Sequence, residues 1–475
     1  MRSLLLIISA ALLLQAQPRY DATRVSLARR PTPQWFSEAR FGIFVVWGPY
    51  SVPSFAPKGK YAEWYWRRVE DARKAKSLDN EFLRFHDRVY GPGFRYEDFV
   101  PMFKAEFFDG EKWADLIARS GAKYVVHSAK YHDGFAMWPS EHANRSWGKS
   151  WNSVTAGPKR DLVGELDRAG RKRGLKMGLY YSLYEWYNPL YVSDFPRYVT
   201  QHHIPQVKDM VTRYRPDIVW ADGQWEHSFD EWRSAEFLAW LFNDSPVART
   251  VAVNDRWGGR RQDAGYYVTG YKTSEYERGF DAKAGAWEEN RGMGASYGYN
   301  RYEDIDDYRT ARQLIRLLVE MASQGGNLLV DIGPTADGRI PVIMQQRMVE
   351  MGDWLKVNGE AIYGSSAGPI QPEIKDALVG VGGPDRALSP AEEERLNKAR
   401  AWASTAKPGK LFIHVFDPPP DGELRLPPAP RKIRAARYLD GGHAVRFRQT
   451  PGGVTLALPD LPPGRPPVVV VLDLE

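Results

Sequence analysis

Several carboxylates lie at or near the ends of short strand-like runs in this 475-residue chain. Asp222 closes DIVWADG, Asp255 sits in TVAVNDR beside Arg256, Glu275 closes YKTSE, and Asp331 lies in NLLVDIG. Trp47, His127, Lys130, His132, Asp133, Tyr180, Tyr181 and Trp220 hold comparable places. The set is rich in carboxylates and aromatics and poor in hydroxyl nucleophiles. Two acids from different strands facing one sugar carbon can break a glycosidic bond, one at the anomeric centre and one protonating the leaving oxygen. Asp222 and Glu275 meet the positional part of that demand. An Asp at such a place also serves as a helix cap or an ion-pair partner, so position alone leaves both readings open.

Other chemistries find less support. A catalytic metal needs clustered His, Asp and Glu ligands. His132 and Asp133 are adjacent, which on a strand sends them to opposite faces; His202-His203 stands alone, and no His-Glu-x-x-His occurs. No metal and no cofactor are therefore expected. Cysteine is absent, which excludes a thiol nucleophile, thiolate metal sites and disulfides. The chain holds 17 Trp and 25 Tyr. Rings that are apolar on the face and polar at the edge suit sugar rings, so carbohydrate is the expected partner.

The elements that must position these residues are legible as alternation. Strand-like runs occupy 41–48, 123–131, 176–182, 217–223, 250–256, 271–277 and 327–333. Between them lie helical patterns. One begins at Asp109 and stops near Gly121, one runs from Arg160 to Gly174, and one ends at Gly325-Gly326. Near-continuous apolar strands alternating with amphipathic helices indicate parallel strands covered by helices. The expected fold is α/β: a (β/α)8-like barrel over 31–365, with one strand unassigned, whose reactive residues gather at the carboxyl ends of the strands. An open doubly wound sheet fits less well, because no Gly-rich dinucleotide loop follows the first strand. From about 366 Pro and Gly become dense, and LFIHVF, VTLAL and VVVVLDL are separated by turns. Residues 366–475 are read as a C-terminal antiparallel β-sandwich.

The opening MRSLLLIISAALLLQAQ has a basic start and an apolar run, Leu4 to Leu14, too short for the roughly 20 residues of a membrane span. Residues 1–17 are read as a secretory signal, giving a secreted or periplasmic protein with no membrane span after cleavage. Lys plus Arg is 65 against 59 for Asp plus Glu, and the basic residues are dispersed, so no nucleic-acid groove is expected.

From about residue 35 to 365 the chain resembles the α-L-fucosidases of glycoside hydrolase family 29. The resemblance rests on blocks in one order, among them FGIFVVWGPYSVP, AEWYWRR, AKYHDGFAMW, GLYYSLYEW, PDIVWADG, VNDRWG, YKTSEYE, ASYGYNR and GGNLLVDIGPTADGRIP. It implies a barrel followed by a β-sandwich and hydrolysis of α-L-fucosides with retention. In that reading Asp222 is the nucleophile and Glu275 the acid/base, with Glu277 and Glu288 as fallback acids. Glu63, Trp64 and His132 bind ring hydroxyls, Tyr180 lies beside the anomeric end, Arg256 holds a hydroxyl or a carboxylate, and Trp220 and Tyr297 offer flat walls.

The chain departs from the family pattern in three places. Val46 and Tyr131 stand where the family carries histidines that contact sugar hydroxyls. Tyr131 is retained as a binding residue through its phenol, and His127 compensates if it faces the pocket. Asp331 stands where Asn is commoner and is read as structural. The departures admit an alternative: a non-catalytic or altered-specificity carbohydrate-binding relative, for instance one selecting an α-L-galactoside.

Overall fold

The structure, a computed structural model, describes residues 18–260, 268–276, 285–372, 400–417, 419–458 and 466–475. The N-terminal run 1–17 and Glu277 lie outside them.

Eight parallel strands form one curled sheet: β1 (Phe41–Val45), β2 (Tyr124–Lys130), β3 (Lys176–Ser182), β4 (Ile218–Asp222), β5 (Ala252–Val253), β6 (Lys272–Glu275), β7 (Trp287–Gly292) and β8 (Asn327–Ile332). Their order is β5-β4-β3-β2-β1-β8-β7-β6. An Asn254–Tyr271 bridge joins the two ends, with the Tyr271 N–H donating to the Val253 carbonyl at 2.9 Å, so the barrel closes through one narrow seam.

Helices form where the sequence supplies their caps. The Asp109 carboxylate accepts from the N–H groups of Glu111 and Lys112 at the head of Gly110–Arg119. Asp161 does the same for Leu162–Lys172, and Thr310 with Gln313 forms a capping box for Ala311–Ser323.

The strand missed from the sequence is β7, WEENRG. Strands in a closed barrel normally read as apolar runs. This one is wholly buried yet polar: Glu288 accepts from Tyr124 and Trp220 inside the barrel, and Glu289 pairs with Arg291 on the other side.

Register decides which side chains face inward. Gly292, Asp331, Phe44, Val126 and Gly178 share one rung, and Ser128, Tyr180 and Trp220 another; both point into the barrel. Gly42 allows this packing, since a Cβ there would meet the Tyr124 ring at 2.4 Å. His127 lies on the alternate rung with Val45, Leu179 and Val219, which faces the surrounding helices. It therefore does not compensate for the missing histidines.

Beyond the barrel stand two antiparallel sheets. One has five strands: β9 (Ser366–Ala367), β10 (Trp402–Lys407), β11 (Lys410–Val415), β13 (Ile433–Tyr438) and β16 (Val468–Leu474). The other has three: β12 (Glu423–Leu426), β14 (Phe447–Thr450) and β15 (Gly453–Ala457). Leu411, Ile413, Val470 and Leu472 pack against Leu424, Leu426, Val454 and Leu456 of the smaller sheet. The intervening Phe412, Val469 and Val471 join the barrel's own core. No helix among the described residues is long and apolar enough to cross a membrane.

Candidate active site

The carboxyl ends of the barrel strands bring Asp222 and Glu275 to one cation. Asp222 is the last residue of β4 and Glu275 the last of β6. Arg256, just beyond β5, donates from Nη1 to Asp222 Oδ1 at 2.9 Å and from Nη2 to Glu275 Oε1. Its Nε donates to Thr273 Oγ1 at 2.9 Å, and Thr273 in turn donates to Asp255 Oδ1 at 2.7 Å. The guanidinium lies 4.7 Å over the Trp220 ring. A rigid planar fork fixed at three points is suited to orienting two carboxylates.

The second oxygen of Asp222 accepts from the Tyr180 hydroxyl at 2.8 Å. Burial alone pushes the Asp222 carboxyl up. The charges of Arg256 and His132 and the Tyr180 and Arg256 hydrogen bonds outweigh that, so it is held below the usual carboxylate range. An ionised, oriented carboxylate results. Gly223 follows it at φ +73°, and a Cβ there would meet Tyr184 Cβ at 2.7 Å, so the chain turns out of the barrel only through glycine.

His132 Nε2 lies 3.7 Å from Asp222 Oδ2, and burial pulls the imidazole down to about 4. Its Nδ1 is 2.6 Å from Ser182 Oγ, and Ser182 gives its own proton to the Tyr184 carbonyl at 2.7 Å. Ser182 therefore accepts from Nδ1–H, and the neutral ring turns an Nε2 lone pair toward the pocket. Nothing in the sequence pointed to Ser182, because its role exists only across two strand ends.

Glu63, on the short helix Ala62–Trp64, is buried. Its Oε2 accepts from the Gly298 N–H at 2.8 Å and from Ser296 Oγ at 3.1 Å. Its Oε1 has no hydrogen-bond partner among the described residues, and burial pushes the carboxyl up to about 7. Trp64 is half-buried, its ring centroid 5.6 Å from that of His132. Trp225, which sequence reasoning missed, is also half-buried, 5.3 Å from His132 and 6.0 Å from Trp64. The Tyr131 ring lies 4.2 Å from His132 and 5.7 Å from Tyr180, stacked on the latter.

Two aromatic residues sit deeper than a wall position requires. Trp220 is covered by Arg256, Tyr180 and Phe44, and donates from Nε1 to Glu288 at 2.9 Å. It is the floor under Arg256. Tyr297 gives its hydroxyl proton to Asn290 Oδ1 at 2.7 Å and lies among Phe44, Tyr61 and Tyr276. Glu288 is likewise below the pocket, so this fallback acid has its oxygens occupied by Tyr124 and Trp220.

Other strand-end candidates serve the scaffold. Lys130 and His202 pair with the buried Glu185. Burial works to raise that carboxyl, and the charges of His202 and Lys130 overcome it and hold it low. Asp133 accepts from Tyr96, and Tyr181 donates to Gln206. Among the described residues, no three His, Asp or Glu side chains are grouped to hold a metal ion.

Comparison with known proteins follows the same outline. The family model described as alpha-L-fucosidase matches residues 7–360. The alpha-L-fucosidase of Dictyostelium discoideum is 39% identical over 474 residues, covering 96% of this chain and 95% of that protein. The plasma alpha-L-fucosidase of Rattus norvegicus is 46% identical over 354 residues, 72% of this chain and 73% of its own. The crystal structure of Thermotoga maritima alpha-fucosidase aligns with a TM-score of 0.75 at 31% identity, covering 96% of this chain and all of that one.

Proposed function

The chain belongs to the alpha-L-fucosidase family, and on that premise we propose that it hydrolyses α-L-fucosides in two steps with retention of configuration. In the first step Asp222 attacks the anomeric carbon and the bond to the leaving oxygen breaks, while Glu275 gives that oxygen a proton. In the second, Glu275 takes a proton from water, whose oxygen attacks the same carbon and releases Asp222. The observation that carries this reading is the shared guanidinium. Arg256 holds one oxygen of each acid, which puts both within one guanidinium's reach. That scale suits the roughly 5–5.5 Å between the carboxyls of a retaining pair, where no water needs to fit between acid and sugar.

The decisive experiment is hydrolysis of an aryl α-L-fucoside by the wild type and by Asp222→Ala. The variant is expected to lose turnover and, with azide, to form the inverted glycosyl azide. Equal rates in the two proteins overturn the assignment of Asp222.

Val46 and Tyr131 support a second reading, altered sugar selectivity, because an aliphatic group and a phenol stand where the family resemblance implies imidazoles. Rates on matched α-L-fucosides and α-L-galactosides measure it. Calorimetric binding of fucose without turnover of either assigns the site to a non-catalytic binding protein.

Export belongs to the same proposal and rests on the apolar run Leu4–Leu14 behind Arg2. N-terminal sequencing of protein recovered outside the cytoplasm should begin near residue 18, and an intact Met1 there counts against it.

A further inference from the structure

Asp331 was expected to be structural; the Val46 backbone N–H lies near its carboxyl, but that N–H donates to the Ile332 carbonyl at 3.1 Å. Asp331 is 1% exposed, and neither carboxyl oxygen has a hydrogen-bond partner among the described residues. Its register beside Phe44 and Gly292 turns it into the barrel, diametrically across from the strand that carries Asp222. Among the described residues Glu63 Oε1 is also without a partner, and the Tyr50 hydroxyl has only Ser128 nearby, whose Oγ donates to the Val45 carbonyl at 2.9 Å; both residues are 1% exposed.

These groups share one quadrant. The charges of Glu63 and Asp331 both bear on Tyr50 and Tyr276, and Glu63 bears on Asp331. Gly298, which donates to Glu63, also lies against Tyr50: a Cβ built there would be 3.1 Å from Glu63 Cβ and 3.3 Å from the Tyr50 ring. Val46 flanks the group with a side chain that cannot hydrogen-bond. Buried polar groups in native proteins are rarely left unpaired, and several in one place signal a polar ligand that completes them. Burial, reinforced by Glu63, raises the Asp331 carboxyl well above its ordinary range, so it presents an O–H donor and a carbonyl acceptor together. That pattern matches a sugar hydroxyl, which both accepts and donates.

We infer that Asp331 is a substrate-binding residue: with Glu63 and Tyr50 it receives hydroxyls of the bound sugar on the wall opposite Asp222, where Val46 supplies no polar group. The inference rests on the proposed fucosidase reading.

The test pairs Asp331→Ala and Asp331→Asn with aryl α-L-fucosides lacking either the 3- or the 4-hydroxyl. Asp331→Ala is expected to raise KM for the parent substrate about tenfold or more, with kcat changed far less. It should leave KM unchanged for the analogue that lacks the contacted hydroxyl. Asp331→Asn keeps a donor and an acceptor and should stay within a few-fold of wild type. An Asp331→Ala penalty equal on every substrate, or a fall in melting temperature with no change in KM, overturns the proposal. If the wild type turns over no α-L-fucoside, the fucosidase reading fails, and calorimetry with fucose still decides this one. Binding weakened about tenfold by Asp331→Ala supports it; equal affinity, or no binding to either protein, overturns it.

Discussion

Arg256 is one positive charge between two carboxylates, and the chemistry proposed here depends on how that charge is placed. Thr273 and Asp255 hold it laterally and Trp220 supports it from below. Lys in its place keeps the charge but loses the fork, so Arg256→Lys is expected to lower kcat/KM without restoring two-point orientation. Glu275→Gln should lower kcat/KM by roughly 10²–10⁴-fold for a glycan leaving group, and far less for α-L-fucosyl fluoride, which needs little proton assistance. Rates on the two substrates check this. Ser182 acts through His132 by fixing which nitrogen carries the proton. Ser182→Ala frees the tautomer and should cost about tenfold in kcat/KM, with ¹⁵N NMR of His132 showing a mixture where the wild type shows Nδ1–H.

At the scale of elements, β7 shows why part of the scaffold escaped sequence reading. Its burial is purchased with ion pairs and hydrogen bonds, so its composition resembles an exposed loop. Glu288 gives a measurable consequence. Burial raises its carboxyl from 4.5 to about 7, against the pull of the Tyr124 and Trp220 hydrogen bonds. Between those values the folded chain keeps a proton that the unfolded chain has released. Its contribution to stability is full below about pH 4.5 and is lost as pH rises toward 7, at up to about 1.4 kcal/mol per pH unit. Glu288→Gln does not titrate. Its melting temperature carries a constant offset from wild type, and the difference should shift in the variant's favour from pH 4.5 to 7 and then level off. A difference independent of pH would count against a buried protonated Glu288. By contrast the helix Gly110–Arg119 was legible with its start, because Asp109 caps it through local contacts.

For the whole molecule, the five-stranded sheet is covered on both faces, and this explains VVVVLDL. Val470 and Leu472 face the smaller sheet, while Val469 and Val471 face the barrel. Trp354 Nε1 donates to the Pro467 carbonyl at 2.8 Å, and Arg312 pairs with Asp417 at 2.6 Å, across the same boundary. Phe412 is fully buried on the barrel side. Phe412→Ala should destabilise by roughly 3–5 kcal/mol, seen as a lower denaturant midpoint. Because that face belongs to the barrel's core, calorimetry should show one unfolding transition; two separated transitions would argue that the parts are independent.

Strand and helix alternation, helix caps, the absence of thiol chemistry and the positions of Asp222 and Glu275 were all available in the chain itself, since each depends on residue type and short-range spacing. Tertiary structure alone decided three things. Barrel closure brought β4 and β6 to the same guanidinium. Strand register turned His127 out toward the helices and Asp331 into the barrel. Contacts between distant segments recruited Ser182, Thr273 and Gly298 to hold His132, Arg256 and Glu63. The physical reason is that side-chain orientation follows from pairing between strands far apart in sequence, and a shift of one residue in that pairing reverses it.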